Sequence, residues 1–293
     1  MKKIILLLFL SVSTIGLSAQ SWDDGKDDTF LWKVSDADSH LYLLGSVHVA
    51  DSTFYPLDSE IMEAYSYSDG VVVEILNMDV DQGMILLRMQ AADGRKLSDK
   101  LSKENYEYVV RELSKVGMPP EMIDQLKPWA AGLTLMQLEI AGNGLDPSLG
   151  IDKYFIDKAK DDEKELDELE SVMMQIGLLD SLDSNPDGII DYFTKEADNY
   201  EGDMLMKLVN SWKTGKESEM SALLMESMGD DENAERFKEL FITKRNIGMA
   251  DKIKGYLKEN KTYFVIAGTA HYVGEGSVVE LLNETGEYSI KKY

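Results

Sequence analysis

No cysteine occurs among the 293 residues of this chain. That absence excludes disulfides, a thiol nucleophile, thiolate-bound zinc and any lipid anchor attached to cysteine. Basic residues are scarce as well: 30 Lys and Arg stand against 54 Asp and Glu, for a formal charge of -24. Such an acidic surface repels nucleic-acid phosphates and anionic membranes, so neither is an expected partner. It is compatible with attracting cations or basic peptides, and solubility alone would also account for it. Beyond the first residues, no run is long and apolar enough to cross a membrane. Stability must then come from burial, and about 270 residues suffice to bury one sizeable core. Histidine is nearly absent too, with three in the whole chain.

The N-terminus has the pattern of a secretory signal. Lys2 and Lys3 form a charged start, Ile4 to Leu17 supply an apolar stretch, and Ser18-Ala19-Gln20 offers a small-residue cleavage site. Residues 1–19 are therefore expected to be removed, leaving 20–293 as an exported chain with no stable membrane span, either periplasmic or secreted.

Two of the three histidines sit in matching contexts near opposite ends of the chain. Leu41-Tyr42-Leu43-Leu44-Gly45-Ser46-Val47-His48 and Tyr263-Phe264-Val265-Ile266-Ala267-Gly268-Thr269-Ala270-His271 each read as a buried strand, a glycine permitting a sharp exit, and a histidine three residues on. Gly70-Val71-Val72-Val73-Glu74-Ile75-Leu76 is a third apolar run, with one carboxylate set into it. Runs apolar on both faces suit parallel strands covered by helices, whose carboxyl ends gather ligands. A buried Glu74 needs a metal, a cation or a proton. Singly, each histidine could cap a strand and Glu74 could form a structural ion pair. Together, at strand ends, His48, Glu74 and His271 point to a site.

Elsewhere, Phe30–Val34 and His40–Leu44 read as a hairpin around Ser35–Ser39, with His40 an ordinary surface histidine. Asp58–Tyr67 reads as a helix capped by Asp58, and from Gln82 to about Leu257 the periodicity is mostly helical. One domain, with a helical insertion between the N- and C-terminal strands, is the simplest organisation. Lys160–Glu170 is a charge run whose ordinary meaning is a solvated helix or turn. Asp183-Ser184-Asn185-Pro186-Asp187-Gly188 matches half a calcium loop. Its twelfth position is Thr194 where a bidentate Glu is expected, so a turn into the next helix is the better reading.

With these segments in place, the chain from about Phe30 onward resembles the TraB/PrgY/GumN family, which includes the Tiki-type metalloproteases. The resemblance rests on Leu31-Trp32-Lys33-Val34, the two Gly-x-x-His segments and the strand ending at Glu74. Leu126-Lys127-Pro128-Trp129, Leu149-Gly150-Ile151-Asp152, Leu169-Glu170-Ser171 and Lys244-Arg245-Asn246 add to it. It implies an α/β fold like that of erythromycin-esterase-like and ChaN-like proteins, a mixed central sheet flanked by helices. It also implies a site at His48, Glu74 and His271. Tiki-type members are described as peptidases dependent on manganese or cobalt, and no His-Glu-x-x-His zinc motif occurs here. Where relatives have a strand leading into Leu-Glu, this chain has the charged Lys164–Glu168, which weighs against that strand and against a role for Glu170.

The function expected from this resemblance is a metal-dependent hydrolase of peptide or protein substrates, with His48, Glu74 and His271 holding Mn, Co or Zn. Arg245 is the candidate to stabilise a developing oxyanion or grip a substrate carboxylate, unless it is a helix-surface ion pair. Asp152 and Asn246 are candidates to support the ligands from behind, although Asp152 also suits a helix N-terminus. Two other readings stay open. One is a metal-free, esterase-like hydrolase with His48 as general base oriented by Glu74. The other is an exported peptide-binding regulator without turnover.

Overall fold

The structure, a computed structural model, describes residues 29–76, 82–199, 204–229 and 232–293. The signal segment expected at 1–19 lies outside these residues. Contacts divide the chain into two compact units. The site lies wholly in the second, formed by the described parts of Leu8–Leu76, Leu145–Glu170 and Leu205–Tyr293.

That unit is a six-stranded mixed sheet with helices against it. The strands are β1 (Leu31–Ser35), β2 (His40–Ser46), β3 (Gly70–Val73), β4 (Glu165–Glu168), β5 (Tyr263–Gly268) and β6 (Ser289–Lys292), in the order β4-β3-β5-β2-β1-β6. The four from β4 to β2 run parallel, whereas β1 pairs antiparallel with both β2 and β6. The β1–β2 connection follows its turn chemistry: Asp36 Oδ1 accepts from Asp38 N at 2.9 Å and Ser39 N at 2.7 Å. Tyr263 to Ala267 are buried, as befits a central parallel strand.

Helix Ser59–Tyr67 starts where Asp58 accepts from Glu60 N at 2.7 Å. Its Tyr65 joins Phe155, from helix Ile151–Asp161, and Phe264 of β5 in a cluster with ring centroids 5.0 to 5.9 Å apart. Helix Lys244–Tyr256 buries Asn246, Met249, Ala250 and Ile253 along one stripe, with Arg245 beside them.

Two elements depart from the sequence reading. Glu165–Glu168 is not a solvated helix or turn but the edge strand β4, paired in parallel with β3. Its charges fit an edge position: Glu165 pairs with Lys261, and Asp167 Oδ2 accepts from Tyr256 Oη at 2.6 Å. The short strand β6 at the C-terminus was not expected, because Ser-Ile-Lys-Lys is too polar and brief to stand out.

The first unit comprises the described parts of Asn77–Gly144 and Ser171–Met204. It is helical, and Leu97, Val109, Leu113, Ile123, Ala131 and Ile190 share its core. Here the half calcium loop enters helix Pro186–Asn199: Asn185 Oδ1 accepts from Gly188 N at 3.2 Å, and Asp187 accepts from Ser102 N at 2.9 Å. Among the described residues, no helix is long and apolar enough to cross a membrane.

Candidate functional site

Because β2, β3, β4 and β5 are parallel, their carboxyl ends share one edge of the sheet. β2 exits through Val47 to His48, β3 into Glu74, β4 into Leu169-Glu170, and β5 into a tight turn, Thr269–His271. Residues more than 200 positions apart therefore meet, and Thr269 ties two exits together by donating from Oγ1 to Ser46 O at 2.9 Å.

The glycines of the two histidine segments provide room rather than a sharp exit. Neither has a left-handed backbone. A Cβ on Gly45 would come within 3.0 Å of Thr269 Oγ1 and 3.2 Å of Phe30 Cβ. A Cβ on Gly268 would stand 3.4 Å from His48 Nε2, 3.7 Å from Glu74 Oε2 and 3.8 Å from His271 Cδ2. The three residues singled out by the sequence thus surround the open face of Gly268. Gly150 adds a third close approach, since its Cβ would fall 2.3 Å from the His48 carbonyl oxygen.

Each histidine is oriented from behind. His48 donates from Nδ1 to Asp152 Oδ2 at 2.8 Å, and Asp152 Oδ1 accepts from Ser46 Oγ at 2.8 Å. Asp152 stands in the first turn of helix Ile151–Asp161, whose Ile151 N donates to Val47 O at 3.0 Å. It therefore starts a helix and supports a histidine at once. Asn246 Nδ2 donates to Gly276 O at 2.7 Å, so its Oδ1 accepts from His271 Nδ1 at 2.6 Å. The His271 lone pair is then on Nε2.

Burial and charge treat the two rings differently. Burial alone would depress His48, but Asp152 and then Glu74 outweigh it and push the imidazole up to about 9. Burial, helped by the Arg245 cation, pushes His271 down to about 3. His48 Nε2 lies 4.0 Å from Glu74 Oε2.

Glu74 has the cation that its burial demands. Its Oε1 accepts from Arg245 Nη2, and its Oε2 accepts from Gly268 N at 3.1 Å. Burial would raise its pKa, yet Arg245, His271 and His48 hold it below the usual carboxylate range. Arg245 is 3% exposed and so is no surface residue. Its Nε donates to both oxygens of Glu170 at 3.0 and 2.9 Å, its Nη2 to Glu170 Oε2 at 2.7 Å, and its Nη1 to Phe241 O at 3.1 Å. Phe241 lies in the π-helical turn Glu239–Thr243 that precedes helix Lys244–Tyr256, a local irregularity of the kind found at functional sites.

All six predicted residues, His48, Glu74, Asp152, Arg245, Asn246 and His271, fall in this one cluster. Glu170, which the sequence reading set aside, joins them: it is 5% exposed and bridges to Arg245. The charge run before it concealed it. Its usable signal was a Glu between Leu169, which is buried, and Ser171, which caps the next helix.

The donor chemistry around Gly268 suits a divalent first-row metal: two imidazoles held through Nδ1 and one carboxylate. Among the described residues, no three His, Asp or Glu side chains already stand as a metal-holding group.

The model of the TraB/PrgY/gumN family matches residues 30–290. A protein of Escherichia coli (strain K12) named "Uncharacterized protein YbaP" is 21% identical over 265 residues, covering 89% of this chain and 96% of that protein. Its Shigella flexneri counterpart matches at the same identity and coverage. No solved structure matches the chain.

Proposed function

The chain belongs to the TraB/PrgY/gumN family, and from that premise we propose that it is an exported, metal-dependent hydrolase of peptide bonds. One observation carries the reading. His48 and His271 are each held through Nδ1, by Asp152 and Asn246, and both turn the other edge of the ring toward Gly268, where Glu74 Oε2 also lies.

His48, His271 and Glu74 would hold a divalent ion. When bound, the ion supplies Lewis-acid polarisation of a carbonyl and acidification of water. The chain's own residues do the rest. Asp152 and Asn246 fix ring orientation, which leaves the His271 Nε2 lone pair open, and the His48 Nε2 would have to give up its proton to a bound ion. Arg245 donates to one oxygen of Glu74 and Gly268 N to the other, and both favour its ionised form. Glu170 anchors Arg245 from the far side, which favours a positioning role for Arg245 over direct contact with substrate.

The His48–Asp152 pair also suits the metal-free reading, with His48 as general base. Against it, that reading leaves no part for His271, which Asn246 holds through Nδ1 with its other edge toward Gly268.

Metal analysis of purified protein, combined with a peptide-cleavage assay before and after chelation, tests the proposal. Expected are about one ion per chain by the three-donor count, cleavage lost with the ion, and both lost in His48→Ala. Undiminished cleavage after chelation would transfer the reading to the metal-free hydrolase. Tight peptide binding without cleavage would transfer it to a binding protein. Mass spectrometry of protein from the native host should find an N-terminus near Gln20, and an intact Met1 on a cytoplasmic protein would refute export.

A further inference from the structure

The cavity that reaches His48 and His271 has a second wall with no part in the chemistry above. Leu208 from helix Met204–Thr214, Met220 and Leu224 from helix Glu217–Met228, and Ile242 from the π-helical turn all line it. Met220 and Leu224 are four residues apart, so one helix face presents both. Three separate elements therefore converge apolar side chains on the place where the two imidazoles meet.

The Arg245 cation lining the cavity is committed. Arg245 already faces two carboxylates, Glu74 and Glu170, and a backbone carbonyl. A charged substrate group entering beside Leu208 and Leu224 would lose its hydration, and none of the four apolar side chains supplies a counter-ion. A polar one would lose hydrogen bonds, because Leu, Met and Ile side chains return none of useful strength. An aliphatic group gains, since it leaves water for an apolar surface. The four side chains are at most 9% exposed before any ligand arrives, so the room is small. Met220, unbranched and adaptable, is the most buried of the four.

We infer that the substrate places an aliphatic side chain of leucine, isoleucine, valine or methionine size against Leu208, Met220, Leu224 and Ile242, on the residue flanking the bond to be broken. The inference rests on the hydrolase reading for the words "bond to be broken", and on the wall alone for the chemistry of the side chain.

Two measurements made together separate the two claims. In the first, the metal-loaded full chain cleaves acetylated octapeptides that differ at one position, carrying Leu, Met, Ala, Phe, Asp or Lys, with products read by mass spectrometry. Leu and Met peptides should be cleaved roughly tenfold or more faster than Ala peptides, the discrimination that even one added methylene provides in an apolar pocket, with Asp and Lys peptides slower still. Met220→Phe should remove the advantage of Leu, and Met220→Ala should shift preference toward Phe. Equal rates across the series would overturn the aliphatic subsite and leave the hydrolase standing. No cleavage of any peptide would count against the hydrolase. In the second, the Met220 methyl resonance is followed by NMR in wild-type protein. It should shift on titration with N-acetyl-leucine amide and not with N-acetyl-aspartate amide. An unmoved Met220 resonance, or equal shifts with both, would overturn the subsite whatever the cleavage result.

Discussion

The segments Gly45–His48 and Gly268–His271 are near copies in sequence, yet their histidines differ in charge. His48 stands against a carboxylate, Asp152, and is pushed up to about 9. His271 stands against an amide, Asn246, is buried deeper, and is pushed down to about 3. The motif delivers an imidazole to the edge of the sheet, and the residue behind it decides which protons it carries. With His48 charged and His271 neutral, two cations, His48 and Arg245, stand among the carboxylates of Glu74, Glu170 and Asp152.

The harshest way to break the comparison is to remove a donor. His48→Ala, His271→Ala and Glu74→Ala should each abolish cleavage and lower metal affinity while circular dichroism stays that of wild type. If one of the two histidines proves dispensable, the segments are not equivalent in function and the three-donor site is wrong.

Removing the shared cation comes next. Arg245→Met leaves Glu74 and Glu170 buried without it, and unfolding in denaturant should show a loss of about 3–5 kcal/mol. A loss below about 1 kcal/mol, the range of exposed pairs, would mean the cluster opens to solvent more readily than its burial indicates.

Exchanging the partners sharpens the comparison with a smaller effect. Asp152→Asn should bring the His48 titration, followed by NMR in chelator-treated protein, down from about 9 toward the ordinary imidazole value. Metal affinity should fall about 10- to 100-fold. The sign of the linked stability follows. A raised folded-state pKa stabilises the metal-free fold fully below the unfolded value near about 6.5, and that contribution is lost as pH rises through about 9. Asp152→Asn should flatten this decline, and an unchanged pH profile would show that Asp152 does not set the His48 proton.

The same two segments mark how far the fold was legible. β2, β3 and β5 read from sequence because central parallel strands are continuously apolar, and the β1–β2 turn read from its Asp and Ser residues. β4 did not, because an edge strand can alternate charges that find Lys261 and Tyr256 only in the folded chain. Glu170 was lost with it. Arg245 was visible as a residue and not as a buried bridge, since its two carboxylates lie 75 and 171 positions away. The glycines were found for the wrong reason: spacing cannot distinguish a turn from a place where a missing Cβ makes room.

Gly268→Ala fills that room. Gly268 has φ -51° and ψ 136°, which alanine adopts without strain, and the added methyl would meet its neighbours at 3.4 Å or more. The variant should fold with unchanged or slightly raised stability, by up to about 1 kcal/mol. Calorimetric titration with manganese should nevertheless show binding in wild-type protein and none in Gly268→Ala, because the methyl occupies the point on which His48, Glu74 and His271 converge. Wild-type manganese affinity in the folded variant would mean that the ion does not bind where His48, Glu74 and His271 surround Gly268.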